Sequence, residues 1–395
     1  MIEIADILHK YGEAYRSKYR LSRQEFKAMG AIEFCRSSAL GGHIDECDAC
    51  GHIRISYNSC RNRHCPKCQS LAKEKWLDAR NKDLLPIEYY HVVFTIPNEL
   101  NPLTLRNKKI IYSILFKASA ETLKELSEDP KYIGAEIGFI SILHTWGQNL
   151  MDHPHIHCIV TGGGLSIDGT RWISSKKGFF IPVKVLSRLF KGKFLYYLKE
   201  AYFNKKLKFV GLINELVKYN QFKTLVDALY EKEWVVYAKP PFKNAEYVIR
   251  YLGRYTHRVA ISNHRIVKFE DGRVTFKWRD YKNHNKNKLI TLDVFEFIRR
   301  FLLHILPHRF VKIRHYGILS NKNRNTKLKV CKEIFGVANN VSHTSNDDET
   351  WEDVFLRLTG IDYKKCPCCK NGHMMRKSKL EPRCYSPPII REIIV

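Results

Sequence analysis

Runs of apolar residues at two different periods mark out the elements of this chain. YYHVVFTIP (89–97) crowds β-branched and aromatic residues into a stretch too short for a helix and ends on proline, which predicts a strand. AEIGFISILHTWG (135–147) and HPHIHCIVT (153–161) predict two more strands, and the short polar connection between them predicts an antiparallel pair. EWVVYAKP (233–240) is a further strand, and IVKFEDGRVTFKW (266–278) is a hairpin turning at Asp271-Gly272. Helical spacing recurs at 70–84, where Pro86 closes it, from Pro97 to about residue 127, from Val183 to about Asn220, at 244–257 and at 293–305. The polar stretch 338–353 predicts a linker, and no internal repeat is present. Strands mixed with helices in this order predict an α+β fold: an antiparallel sheet with flanking helices.

Charge adds a partner. Lys and Arg number 67 against 40 Asp and Glu, a formal +27, within 395 residues that are 44% hydrophobic. A folded chain with so one-sided an excess points to a polyanion, and DNA or RNA leads. The N-terminus lacks the basic start and apolar core of a secretion signal, and no apolar run approaches the roughly 20 residues that span a bilayer. A cytoplasmic, reducing location is expected, where the 12 cysteines hold metal rather than form disulfides.

The cysteines cluster. Cys47-x2-Cys50 and Cys65-x2-Cys68 are separated by fourteen residues, close to zinc-ribbon spacing, which predicts one structural Zn2+ on those four sulfurs. Cys35, His43, Cys60 and His64 surround them and leave a second ion open. Arg61, Arg63 and Lys67 lie between the ligands and are candidates for DNA phosphates. Near the C-terminus Cys366-x2-Cys369, with Cys368, His373 and Cys384 nearby, could form another small knuckle, its fourth ligand ambiguous. This divides the chain into a small zinc-ribbon-like, DNA-binding domain (1–80), a larger catalytic domain (81–325) carrying a long basic helical insertion (about 165–233), and a C-terminal extension (326–395).

In a strand alternate residues share a face, so His155 and His157 point the same way with Ile156 turned inward. Two imidazoles leave coordination positions open, as a catalytic Mg2+ or Mn2+ requires, with Gln148 or His144 as third ligand. Gly162-Gly163-Gly164 lack the Lys-Ser/Thr of a phosphate loop and are expected to end the strand and allow close packing. In 244–260 Tyr247, Tyr251 and Tyr255 recur every four residues, a row on one helix face, flanked by Arg250, Arg254, His257 and Arg258 as phosphate-binding cations. Trp146 and Trp278 are candidates for stacking on unpaired bases.

Taken in order, SCRNRHCPKCQ, LHTWGQNLMDHPHIHCIVTGGG, YLGRYTHRVAISNHRI and RHYGILSN resemble the rolling-circle transposases of the insertion-sequence-ninety-one family, members of the HUH endonuclease superfamily. The resemblance runs from about Cys35 to Arg324. It implies an HUH-type antiparallel sheet with the tyrosine helix over it and an N-terminal zinc domain. It also implies an enzyme that nicks one DNA strand and stays joined to the 5′ end through a phosphotyrosine. His155 and His157 match the HUH pair, Tyr251 and Tyr255 match the two-tyrosine signature, and Tyr247, outside it, is expected to pack. The partners implied are single-stranded ends of the element and target DNA, on the bacterial nucleoid. Two other readings remain open: a replication initiator or relaxase with the same chemistry, and a non-catalytic zinc-dependent DNA-binding protein.

Overall fold

The computed structural model describes residues 2–176, 180–242, 247–248, 253, 259–280, 286–337 and 350–383, without the side chains of 70–72 and 240–242. The chain opens with α1 (Ile4–Lys18), α2 (Arg23–Glu33), β1 (Gly42–Cys47), β2 (Ile53–Tyr57) and α3 (Gln69–Asn81). The central part holds β3 (Tyr89–Thr95), α4 (Asn101–Arg106), α5 (Lys108–Glu128), β4 (Glu136–Trp146), β5 (Asp152–Leu165), β6 (Trp172–Ser174), α6 (Val183–Phe203), α7 (Tyr219–Glu231) and β7 (Val236–Phe242). It continues with β8 (Ile266–Glu270), β9 (Arg273–Asp280), β10 (Lys286–Asp293), α8 (Val294–Leu303), β11 (Ile313–Gly317), α9 (Lys327–Ile334), α10 (Trp351–Thr359) and β12 (Met374–Leu380).

The main sheet runs β11-β4-β5-β3-β7, antiparallel throughout, with β6 added to the end of β5. Its middle strand, β5, carries the histidine motif. The β4–β5 pair expected from the short connection is present, and β5 runs on through the glycines to Leu165 rather than ending at them. A Cβ on Gly162 would meet the Glu88 carbonyl at 2.8 Å, and one on Gly164 would meet that of Glu136 at 2.5 Å. The glycines therefore let neighbouring backbone close in on both sides of the strand.

Alternation divides the sheet into two buried faces. Val92, Phe94, Phe139, Leu143, Ile156, Cys158 and Val160 face α5 and α6. Tyr89, Ile140, Ile142 and Ile159 face Leu77 of α3, Val248, and Leu328 and Cys331 of α9. The helices of the expected basic insertion also form a layer of the core. Leu186, Phe190, Phe194 and Leu198 recur every fourth residue along α6 and are fully buried, joined by Phe222, Val226 and Leu229 of α7. Their lysines occupy the outer side, and deleting 165–233 would strip the sheet of one cover.

A second packing unit joins distant parts of the chain. α1 and α2 share a core with the small sheet β10-β9-β8, with α8 and with Trp146 and Leu150. Residue 80 is thus not the edge of a self-contained N-terminal unit. Trp278 packs at the margin of this core, with Lys288 over its ring at 5.9 Å. A third sheet, β12-β1-β2, pairs strand β12 of the expected C-terminal extension with the N-terminal region. Residues 338–349 of the expected linker lie outside the described residues, and Trp351 already opens α10. Among the described residues no helix is long and apolar enough to cross a membrane.

His304 pins the second unit to the main sheet. Its buried Nε2–H donates to the Leu150 carbonyl at 3.0 Å, so Nδ1 is left to accept from the Thr145 hydroxyl at 3.2 Å. Burial pushes His304 from 6.5 down to about 3. The native state therefore binds fewer protons than the unfolded chain below pH 6.5, and this contribution to stability is complete above 6.5 and lost as pH falls toward 3. His304→Ala should lower unfolding stability by on the order of 2 kcal/mol at neutral pH and flatten the acid limb of the stability profile, read by denaturant titration across pH.

Candidate active site and metal centres

Register brings three imidazoles together. His155 stands opposite His144 across the β4–β5 pair, and His157, two residues on, shares its face. Ligand nitrogens of His144, His155 and His157 all lie within 4.8 Å of one another. Of the two third ligands expected, His144 joins the pair, while Gln148 sits in the turn after β4, where its carbonyl receives Arg265.

Neighbouring groups set the tautomers. His155 Nδ1–H donates to the His153 carbonyl at 2.6 Å, which leaves Nε2 to offer a lone pair. His157 Nδ1 lies 2.8 Å from His91 Nε2, the two rings stacked at 7°. Burial, with Lys239 nearby, pushes His91 down to about 3, so it is neutral at physiological pH. A neutral His91 accepting from His157 Nδ1–H would again leave Nε2 as the metal-facing atom. No motif spacing marks His91, although a histidine among the apolar residues of β3 is itself a signal in the sequence. His153 is exposed at the sheet's end.

The face carrying the histidines also packs against Val248. A Cβ on Gly253 would meet Leu77 Cδ1 at 2.9 Å and Lys73 Cε at 3.1 Å. The absence of a side chain at Gly253 therefore lets the backbone at that position lie close on α3. Tyr251 and Tyr255 fall outside the described residues, as do Arg250, Arg254, His257 and Arg258. Tyr247, expected to pack, is instead 54% exposed. Beyond the histidines opens a cleft of about 380 Å³ lined by Trp146, Ala260, Arg309, Lys312 and, from the cysteine region, Arg63 and Gln69. Trp146 stacks on His144 with ring centres 5.0 Å apart, so cleft and histidine centre share a wall.

The cysteines form two quartets, neither of them the set expected from spacing. Cys35, Cys60, Cys65 and Cys68 make one, and Cys47 and Cys50 join Cys366 and Cys369 in the other. Sulfurs approach one another to 3.5 and 3.6 Å in the first and to 3.7 Å in the second. Four sulfurs at about 2.3 Å from a tetrahedral zinc would stand about 3.8 Å apart, whereas a disulfide needs about 2.05 Å. Backbone N–H groups of Cys60 and Asn62 point at Cys35 Sγ and Cys60 Sγ at 3.5 and 3.4 Å, which favours thiolates. Both quartets fit structural Zn2+.

His43 and His64 lie outside both quartets. His43 Nε2 faces Asp45 and the Tyr363 hydroxyl at 3.5 Å each. His64 is half-buried, pushed down to about 3 chiefly by desolvation, and accepts the Leu306 N–H at 3.3 Å. Arg63 donates to the Phe310 carbonyl at 2.8 Å, Lys67 pairs with Glu3, and Arg61 is exposed. At the C-terminus Cys368 and His373 are exposed outside the quartet, and Cys384 lies outside the described residues.

Comparison with known proteins places this geometry. A family described as "Putative transposase" matches residues 138–327, and one described as "Transposase zinc-binding domain" matches 7–96. The "Putative transposase y4qJ" of Sinorhizobium fredii is 49% identical over 389 residues, 97% of this chain and 98% of that protein. The "Transposase for insertion sequence element IS801" of Pseudomonas savastanoi pv. phaseolicola is 27% identical over 304 residues, 75% of this chain and 71% of its own. No solved structure matches.

Removing the support under His157 should loosen the centre without unfolding it. His91→Ala is expected to weaken Mn2+ binding by about 10- to 100-fold in calorimetric titration, and His144→Ala by more. Unchanged affinity in either folded variant would exclude that residue from the centre.

Proposed function

The chain is a transposase of the IS91 family, a DNA-processing enzyme, and from that premise we propose that it cuts and rejoins single-stranded DNA through a 5′-phosphotyrosine, moving its element by a rolling-circle route. The observation that carries this reading is the convergence of His144, His155 and His157 on the sheet face that also buries Val248 and Gly253, the residues flanking Tyr251 in the sequence. Three imidazoles whose ligand nitrogens lie within 4.8 Å of one another, on two paired core strands, are the donor set that a shared ligand requires.

The three histidines would hold a divalent cation, Mg2+ or Mn2+, which when bound polarises the scissile phosphate. Tyr251 or Tyr255 supplies the attacking oxygen. A bond forms from that oxygen to phosphorus as the bond to the 3′-oxygen breaks, the phenolic proton is lost to solvent, and the departing oxygen is protonated to a 3′-hydroxyl. A phenol titrates near 10 in water, so the developing phenolate needs cations, a role open to Arg250, Arg254 and Arg258 of the same segment. The phosphotyrosine keeps the bond energy of the cut diester, and a second tyrosine lets the enzyme hold one end while attacking another.

The cleft beside the centre suits the strand leading to the cut. Trp146 offers an unpaired base an apolar wall, and Arg309 and Lys312 offer its phosphates charge. Double-stranded DNA, its bases turned inward, has nothing to place there.

An all-imidazole donor set is softer than Mg2+ prefers, so Mn2+ should sustain cleavage at lower concentration than Mg2+. With a single-stranded oligonucleotide carrying the element's end, a denaturing gel should show a metal-dependent protein–DNA adduct. Tyr251→Phe with Tyr255→Phe should abolish it, whereas either change alone should spare part. A folded protein that binds the oligonucleotide, metal or no metal, and never forms an adduct would reduce the chain to a DNA-binding module.

A further inference from the structure

The second cysteine quartet draws two ligands from each end of the chain. Cys47 and Cys50 lie within the segment matched as zinc-binding, whereas Cys366 and Cys369 lie beyond both matched families. Each half is shaped as a ligand-bearing knuckle. The N–H groups of Ala49, Cys368 and Gly372 point at Cys47, Cys366 and Cys369 Sγ at 3.4, 3.4 and 3.3 Å. Lys370 takes φ +62, and a Cβ on Gly372 would meet Cys47 Sγ at 2.4 Å, so only glycine lets the two halves close.

We propose that Cys47, Cys50, Cys366 and Cys369 bind a second structural Zn2+ that clasps the C-terminal segment to the N-terminal sheet. The proposal rests on the zinc reading of the first quartet and adds a site of its own. Strand β12 leaves the knuckle and pairs with β1 from Cys47 opposite Met374 to Gly42 opposite Leu380. Because β12 buries little besides Met374, hydrogen bonds alone hold it poorly, and the metal supplies the missing constraint. The clasp reaches further. Just before the knuckle, Tyr363 takes Arg54 over its ring at 3.8 Å, and Arg357 of α10 pairs with Asp78 of α3 at 2.6 Å. The ion thus fixes α10 against the helix on which Gly253 lies. Each quartet has two buried cysteines, but Cys50 is exposed whereas Cys60 and Cys68 of the first quartet are half-buried, so a chelator should remove the clasp ion first.

The test uses the full chain. Substituted with Co2+, the parent should show the sulfur-to-metal charge-transfer intensity of two tetrathiolate sites, to which the histidine centre contributes nothing. Cys366→Ser with Cys369→Ser should lose one equivalent of zinc by mass spectrometry and lose amide protection in 374–380, while Cys368→Ser retains both. Chelator titration of the parent, which needs no variant to fold, should release zinc in two steps. Intensity for one tetrathiolate site, or release in one step with the double variant's zinc unchanged, overturns the clasp and leaves the first zinc standing. No thiolate-bound metal overturns both.

Discussion

The register of β5 against β4 and β3 is the constraint on which the centre depends. With side chains alternating, pairing His155 with His144 and seating His157 beside His91 occurs in one alignment; a slip of a single residue would turn the imidazoles toward α5 and α6 and Ile156 toward the metal face. What prevents the slip is the apolar set on the far face, fully buried under two helices, together with glycines that admit neighbouring backbone at the strand's end. The lysine-rich helices thus hold the sheet in the alignment that collects the three imidazoles.

Electrostatics around the centre run in two directions. The chain carries a formal +27, yet the groups behind the histidine ligands are kept neutral by burial, which preserves lone pairs for a cation. Positive charge is placed instead at the rim of the cleft, on Arg309 and Lys312, where it can meet phosphate without competing for the metal site. In the proposed reaction, separating the two roles by a few side chains would let one surface attract a polyanion while its centre accepts a divalent ion.

The sheet was legible because its core strands are β-branched, alternating and bounded by proline or glycine, and the β4–β5 pair because the connection is short. His155 and His157 were legible from period alone, His144 only as one of two alternatives, because pairing register is not written in spacing. The cysteine quartets were misassigned for the same reason: Cys-x2-Cys identifies a half-site, but which halves meet is decided in space, here between residues 47 and 369. β12, MMRKSKL, has scarcely any apolar alternation and exists by virtue of its partner strand and knuckle. In α6 the lysines drew attention from the fourfold-spaced Leu186, Phe190, Phe194 and Leu198, a core stripe in plain view.

The quartet of Cys47, Cys50, Cys366 and Cys369 also orders events in time. Domains form as the chain emerges from the ribosome, N-terminal parts first, and the first quartet is complete in sequence once Cys68 has appeared. The second cannot close until translation has passed Cys369, after every strand of the catalytic sheet has been made. The N-terminal half-site therefore waits through most of synthesis, and its closure marks a chain that has been read nearly to its end; a prematurely terminated product keeps the histidines but leaves Cys47 and Cys50 without their other half.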